Sequence, residues 1–598
     1  MQISYLGGDP DPDSKPDCHG GCCPTPLLSM PDPRPHPSSS RPPRSEFSLC
    51  RRNFVAATAS SIFPNSQFTN HESLPPLPQS FHEFLQVYPQ YSDTHIVDRL
   101  RETKYSHLSQ SGHTCLDYIG VGLFSHSQLP DHGPDEVQSQ TASSSMFSPS
   151  PSRVPNLDFP FFSLSYKTGS LKTQLLLGGG TADGRANLET SMRKRIMEFL
   201  HISESEYAMV FTANRTSAFK LLAEAYPFQT SRKLLTVYDY ESEAVDAMIN
   251  SSEKRGAKVM SAEFSWPRLG INSEKLRRMI VRKKDKKKRE KRGLFVFPVH
   301  SRVSGTRYPY IWMNLAQENG WHVLLDACAL GPKDMDSFGL SLIRPDFIVC
   351  SFYKIFGENP SGFGCLFVKK SAVPILETSL CMGTMGLVPV GRVLLPLVET
   401  GDTSNSFSEQ EEAASGELDC TGLDHVDILP MTVITNRGRY LINWLVKALL
   451  KLEHPSTEGV RLVRIYGPKV RFDRGPALAF NVFDWKGEKV EPVLVQKLAD
   501  RSGISISYGF LHHLSFSEKY GEQKAGVTER RTSTGTMVGS KGKERVKGVK
   551  VVTLALGFLT DFEDVYRLWA FVSQFLDADF VEKESWRYTA LNRETVVV

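Results

Sequence analysis

The sequence predicts an α/β protein: a large domain built on a mostly parallel sheet, followed by a smaller α+β domain. Two observations predict the first part. Short, continuously apolar runs recur between residues 207 and 368, and segments with helical spacing separate them. Strands that are apolar on both faces belong in a sheet covered on both sides, and alternation with helices makes that sheet parallel. A third observation predicts the second part: after residue 420 the pattern changes to one long helical segment, then strand, helix, strand and a final helix.

Taken in order, "SFHEFLQVYPQY" opens the ordered chain with helical spacing of Phe81, Phe84 and Leu85. "ANLETSMRKRIMEFLHI" reads as a helix, "EYAMVFT" as a strand, "TSAFKLLAEAYPF" as a helix, "KLLTVY" as a strand and "SEAVDAMINSSEKRG" as a helix. The strands "GLFVFPV", "HVLLDA", "DFIVCSF" and "FGCLFVK" follow. "LDHVDILPMTVITNRGRYLINWLVKALLKL" then reads as helical, "ALAFNVFDW" as a strand, "EPVLVQKLADRSG" as a helix and "VKVVTLALGF" as a strand. Residues 1–75 are rich in Pro, Ser and Asp and are expected to be disordered, because they bury too little apolar surface to order themselves. The large domain is expected over 76–420, with low-complexity inserts near 135–155, 281–293 and 399–417. The small domain is expected over 421–598, with a disordered insert near 519–548.

Composition excludes some classes of function. A net charge of +4 over 598 residues does not mark a nucleic-acid binder. No apolar run is long enough to span a bilayer; the best, "YLINWLVKALLKLEH", is broken by Lys447 and Lys451. The cysteines sit mostly singly in apolar runs (Cys115, Cys328, Cys350, Cys365), as buried thiols do in a reducing compartment, and the Cys18, Cys22, Cys23 cluster lacks a second ligand pair, so no metal is expected. "SSSRPPRSEFSLCRRNFVAATASS" has the Ser/Arg-rich character of an organelle leader, but the acidic "GGDPDPDSKPD" precedes it; the cytoplasm is the expected compartment. The basic run 282–292 reads as a solvated loop, with a nuclear-import signal as the functional alternative.

Candidate chemistry gathers at predicted strand ends, where α/β sheets bind ligands. In "FTANRTSAF" a helix opens at Thr216 and Ser217, a start that suits a phosphate or simple capping. Asp326 ends the apolar strand "HVLLDA", and a buried carboxylate there needs a partner. His300 ends "FPVH". Lys354 follows "DFIVCSF", either snorkelling to solvent or held for chemistry, with the Ser351 hydroxyl just upstream. A phosphate cradle, a carboxylate and a lysine at neighbouring strand ends are the groups pyridoxal 5'-phosphate requires: donors for its phosphate, an anion for its ring nitrogen, and an amine for a Schiff base with its aldehyde.

These motifs resemble the fold-type I pyridoxal-phosphate enzymes of the class V aminotransferase and cysteine desulfurase group. The likeness is greatest to the desulfurase domain of molybdenum-cofactor sulfurases and their plant homologues, and it runs from about residue 81 onward. "SFYKIFG" is close to a signature of that branch, "CLDYIGVGLFS" resembles its opening strand, "FTANRTSAFKLLAEAYPF" its "FTSGATaALKLvgEaFPW", and "FPVHSRVSGTRYP" its "YPaQSNFSGvkYP". The resemblance implies a seven-stranded large-domain sheet and a homodimer acting on a small amino-acid substrate. It implies that Lys354 is the Schiff-base lysine, that Asp326 partners the ring nitrogen, and that Thr216 and Ser351 hold phosphate. No counterpart is expected of the C-terminal domain with which sulfurases bind the molybdenum cofactor.

Departures from the pattern qualify what it implies. The family's "SGAT" turn is "ANRT" here, placing Asn214 where a glycine stands; Asn tolerates positive φ, and Arg215 can add charge to the phosphate. Glu241 takes the position of the ring-stacking histidine, with Tyr240 beside it, and His300 replaces a glutamine expected at the cofactor's phenolic oxygen. The mobile loop "RTGCFCNPGAC", which supplies the sulfur-carrying thiol, aligns with "SYGFLHHLSFS"; Phe510, His512 and Ser517 stand where cysteines would, and no cysteine follows Cys420. A persulfide needs a thiolate. The expectation is a pyridoxal-phosphate transferase or lyase without sulfur transfer of its own, and the alternative is a catalytically lapsed member with a binding or regulatory role.

Overall fold

The computed structural model describes residues 63, 66–117, 162–165, 169–170, 184–281, 292–337, 343–356, 363–376, short pieces between 380 and 393, 418–455, 460–469, 474–521, 524, 527–532 and 545–594. The expected inserts at 135–155 and 399–417 and the basic run through residue 291 lie outside these.

Seven strands form the principal sheet: β1 (Tyr207–Thr212), β2 (Lys233–Thr236), β3 (Lys258–Ser261), β4 (Gly293–Pro298), β5 (His322–Asp326), β6 (Phe347–Ser351) and β7 (Gly364–Lys369). Their order is β1-β7-β6-β5-β4-β2-β3. β7 runs antiparallel to both neighbours, and every other adjacent pair is parallel. β4 and β5 are buried along their whole length, and β6 is buried until Ser351, which is half-buried. Each such Val, Leu, Ile or Phe contributes roughly 1.5–3 kcal/mol by burial. Continuous apolarity was therefore the correct sign of a two-sided sheet, and Ser351 marks where the strand emerges into a cavity.

Gly293 begins β4 at φ +153, where a Cβ would stand 1.9 Å from the Lys233 carbonyl oxygen; only glycine lets β4 meet β2 there.

A second apolar core lies around a sheet of β8 (Val463–Tyr466), β9 (Ala477–Val482), β10 (Ser507–Leu511) and β12 (Arg545–Ala555), with β11 (Glu529–Thr532) pairing the start of β12. The β11–β12 ladder corrects the expectation of disorder throughout 519–548, because Glu529–Thr532 pairs in register with Arg545–Gly548. Its helices are Met431–Leu450, Pro492–Arg501 and Phe562–Ser573.

The amino-terminal segment also departs from expectation. Phe63 and Phe68 are buried, and Phe63 stacks on Trp569 at 5.4 Å. The Phe68 N–H donates to the Lys451 carbonyl at 2.9 Å. Order thus reaches into residues expected to be disordered, because two aromatic rings suffice to anchor an otherwise polar stretch. The helix Leu77–Val87 packs through Phe84 on Phe562 (4.7 Å). It therefore belongs to the second core rather than to the large-domain core.

Candidate active site

The carboxyl ends of β1, β2, β4, β5 and β6 share one edge of the large sheet, and a cavity of about 370 Å³ opens there. The structure brings Asn214, Arg215, Thr216, His300, Ser351 and Lys354 to this cavity, from three of the predicted strand ends. Asp326 is the exception. It ends β5 as expected and is buried, but it does not line the cavity.

Lys354 lies in a one-turn helix, Tyr353–Phe356, immediately after β6. Its side chain is buried, and Nζ donates to the Ala329 carbonyl at 2.5 Å. Burial pulls its ammonium down to about 8, against the opposing pull of the Asp334 carboxylate. The snorkelling alternative is thereby removed: this amine is held inside.

The helix Arg215–Ala225 starts one residue earlier than expected, with Asn214 as its cap. Asn214 Oδ1 accepts from the Ser217 N–H at 2.8 Å. The backbone at Asn214 is extended (φ −161), so the expected need for a left-handed residue does not arise. Among the described residues no backbone acceptor meets the N–H groups of Arg215 and Thr216, which are the first two of the helix. Close approach is supplied instead by Gly364, where a Cβ would stand 3.2 Å from the Asn214 carbonyl carbon.

Arg215 does not turn toward this helix start. Its Nη2 donates to Asp326 Oδ2 at 2.7 Å, and its Nη1 donates to Ser242 Oγ at 2.8 Å. The guanidinium lies 4.9 Å from the Phe219 ring centre. Asp326 Oδ2 also accepts from the Tyr238 hydroxyl at 2.9 Å, and Oδ1 from the Cys328 N–H at 3.1 Å. Burial would raise the Asp326 carboxyl, but the Arg215 charge and these hydrogen bonds hold it below its usual range. The expected role of Arg215 as added charge for a phosphate is thus replaced by an ion pair with Asp326.

His300 is buried, and a Cβ on Gly475 would stand 3.4 Å from its Nδ1. The loop after it is fixed by Asp239, which accepts from Ser301 Oγ and Ser304 Oγ, both at 2.6 Å. Neither Asp239 nor Tyr238 was singled out in the sequence, although both sit just past β2 in "VYDYE". The strand-end reasoning that found Asp326 would have found them.

The small-domain segment meets the large domain directly. The Glu241 N–H donates to the Phe510 carbonyl at 2.8 Å, and the His512 N–H donates to the Asp239 carbonyl at 3.0 Å. Tyr240 bridges to Leu511 and, with Glu241, lines the cavity. The His512 and His513 rings lie 4.1 Å apart, tilted at 37°, and neither residue lines the cavity. Burial and the neighbouring His513 hold His512 down to about 3. Of the cysteines among the described residues, Cys328, Cys350 and Cys365 are buried thiols pushed up by desolvation, the opposite of an activated thiolate. No group of three or more His, Cys, Asp or Glu residues arranged for a metal occurs among the described residues. No helix among them is long and apolar enough to cross a membrane.

The donor set fits pyridoxal phosphate on its aldehyde and phosphate sides: a buried amine of lowered basicity, two helical N–H groups, and the Thr216 and Ser351 hydroxyls at one cavity.

Residues 184–516 match the family described as Aminotransferase class-V. The molybdenum cofactor sulfurase of Solanum lycopersicum is 23% identical over 539 residues, covering 84% of this chain and 60% of that protein. The molybdenum cofactor sulfurase of Homo sapiens is 25% identical over 512 residues, covering 79% and 50%. The chain thus spans 60% and 50% of the length of these two curated relatives. Among solved structures, the apo cysteine desulfurase of Thermococcus onnurineus NA1 aligns with a TM-score of 0.44 and 16% identity, over 68% of this chain and 90% of that one.

Proposed function

This chain belongs to the class-V aminotransferase family, whose members depend on pyridoxal phosphate, and from that premise we propose that it holds the cofactor at Lys354 and acts on a small amino-acid substrate without transferring sulfur itself. The observation that carries the reading is the Lys354 amine, buried at the cavity and lowered to about 8. At pH 7 about a tenth of such an amine is unprotonated, far more than of an ordinary lysine, so Nζ can hold an aldehyde and afterwards accept or return a proton. The Ala329 carbonyl orients Nζ. The Thr216 and Ser351 hydroxyls, with the N–H groups of Arg215 and Thr216 at the helix start, would hold the phosphate. His300 would stand on the phenolic side. When bound, the cofactor supplies an electron-withdrawing ring that acidifies the substrate's α-carbon.

Sulfur transfer is left out of the reading because no cysteine follows Cys420 and because burial raises the described thiols around β5 and β6. A homodimer belongs to the same reading. A catalytically lapsed, cofactor-binding member is the second reading; it is favoured by the Arg215–Asp326 pair, which occupies the carboxylate the ring would need.

The test is a titration of the purified chain with pyridoxal phosphate, followed by visible absorbance. The wild type is expected to turn yellow and Lys354→Ala to stay colourless. A wild type that takes up no cofactor overturns the proposal. With cofactor bound, incubation with L-cysteine is expected to release no sulfide, and robust release would overturn the exclusion of sulfur transfer.

A further inference from the structure

The loop between β4 and the helix Ile311–Glu318 brings His300, Ser301, Arg302, Val303 and Gly305 to the cavity, so whatever holds this loop sets the shape of that wall. From the large domain, Asp239 holds it by the Ser301 and Ser304 hydroxyls. From the small domain it is gripped by Arg474, which stands just before β9 and is fully buried. Arg474 Nη1 donates to the Pro468 carbonyl at 2.8 Å. Its Nη2 donates to the Ala477 carbonyl at 2.7 Å and to the Ser304 carbonyl of the loop at 3.4 Å. Among the described residues no carboxylate pairs with it, and burial pulls the guanidinium down to about 9, so it keeps its charge near neutrality. The backbone beside it closes the contact. Thr306 and Arg474 form an antiparallel bridge, and the Gly475 N–H donates to the Gly305 carbonyl at 2.6 Å. Gly305 lies at φ +71, and a Cβ there would stand 2.2 Å from the Ala477 carbonyl oxygen, so glycine alone admits the approach. Thr553 Oγ1, on β12, donates to the Val303 carbonyl at 3.1 Å.

A buried cation without an anion is costly, and an apolar side chain would fill the same space at less cost. What an apolar side chain cannot do is join three carbonyls from three stretches of chain. A lysine cannot replace it either, since it offers a single point charge where arginine offers a planar fork of donors. We propose that Arg474 is a positioning residue for the cavity: it clamps the Ser301–Thr306 loop to the small domain and thereby fixes where His300 stands. The inference deepens the cofactor reading above, which places His300 on the phenolic side. His300 meets the clamp directly, because a Cβ on Gly475 would stand 3.4 Å from its Nδ1. When the clamp is loosened, the ring and the wall it belongs to move together, and the cavity holds the cofactor less well even where the chain stays folded.

The imidazole signal of His300 in the full chain labelled with ¹⁵N-histidine, assigned by its loss in His300→Gln, reports the clamp without any cofactor. Arg474→Lys is expected to shift that signal and to weaken the uptake of pyridoxal phosphate about tenfold or more. Leu449→Ala, a buried change in the second core outside the cavity lining, is the control for mere destabilisation. It is expected to lower the urea midpoint while leaving the signal and the uptake as in the wild type. Thr553→Val, which removes only the hydroxyl that reaches Val303, is expected to shift the signal less than Arg474→Lys does. An unmoved signal or an unchanged uptake in Arg474→Lys overturns the proposal, and so does a control that reproduces both changes. If Arg474→Lys does not fold, Thr553→Val decides, and an unmoved His300 signal there overturns it. A wild type that takes up no cofactor defeats the cofactor reading, and the His300 signal then decides the clamp alone.

Discussion

The strand-end edge of the large sheet and the strand-loop segment of the small domain that seals it present opposite chemistry. On the large-domain side, Lys354, Thr216, Ser351 and His300 converge on one cavity from three separate stretches of chain. On the small-domain side, "SYGFLHHLSFS" docks firmly through Phe510 and His512 backbone contacts, yet its histidines stay out of the cavity and it carries no thiol. On the proposed reading, attachment of a cofactor and delivery of sulfur are separable: the first would use these cavity groups, and the second lacks a thiol in this segment.

The comparison can be broken most severely at its two buried charges. Lys354→Ala should abolish covalent cofactor uptake outright, as read by absorbance. Asp326→Ala should cost about 3–5 kcal/mol in urea unfolding, because it leaves the Arg215 guanidinium buried without its anion; a loss below about 1 kcal/mol would show that the pair is a solvated contact instead.

Two pH dependences sharpen the contrast. The lysine is lowered from its ordinary value to about 8. Its reactive fraction therefore grows about tenfold per pH unit below that point and levels off above it, and the stopped-flow rate of cofactor uptake should follow. His512, lowered to about 3, works the other way on stability. Between its unfolded value near 6.5 and its folded value the unfolded chain binds the extra proton, so stability is lost as pH falls through that window. From pH 7 to 5 the loss should approach ~2 kcal/mol, and His512→Phe should remove it from the urea midpoint profile. An unchanged profile would place His512 in contact with solvent. The smallest expected effect is Asn214→Ala, at about 1 kcal/mol for a lost helix cap.

Much of this was legible in the sequence, and the misses have physical causes. Continuous apolar runs revealed β4, β5 and β6, because burial on both faces removes polar alternation. A lysine at the end of such a run was equally visible, and the structure buries it at the cavity. Arg215 was read as a phosphate ligand, because sequence spacing places a residue at a helix start but not the direction of a long side chain. Its turn toward Asp326 depends on Tyr238 and Ser242, which come from another strand end. Phe63 and Phe68 escaped notice because composition averages over a window, whereas two rings that fill a hole beside Trp569 are enough to order a polar stretch.

The central claim is that Lys354 holds the cofactor. Borohydride reduction of the cofactor-loaded wild type, followed by proteolysis and mass mapping, tests it most directly. The account predicts one reduced adduct, on the peptide containing Lys354. An adduct on another lysine, or none after saturation, would contradict it.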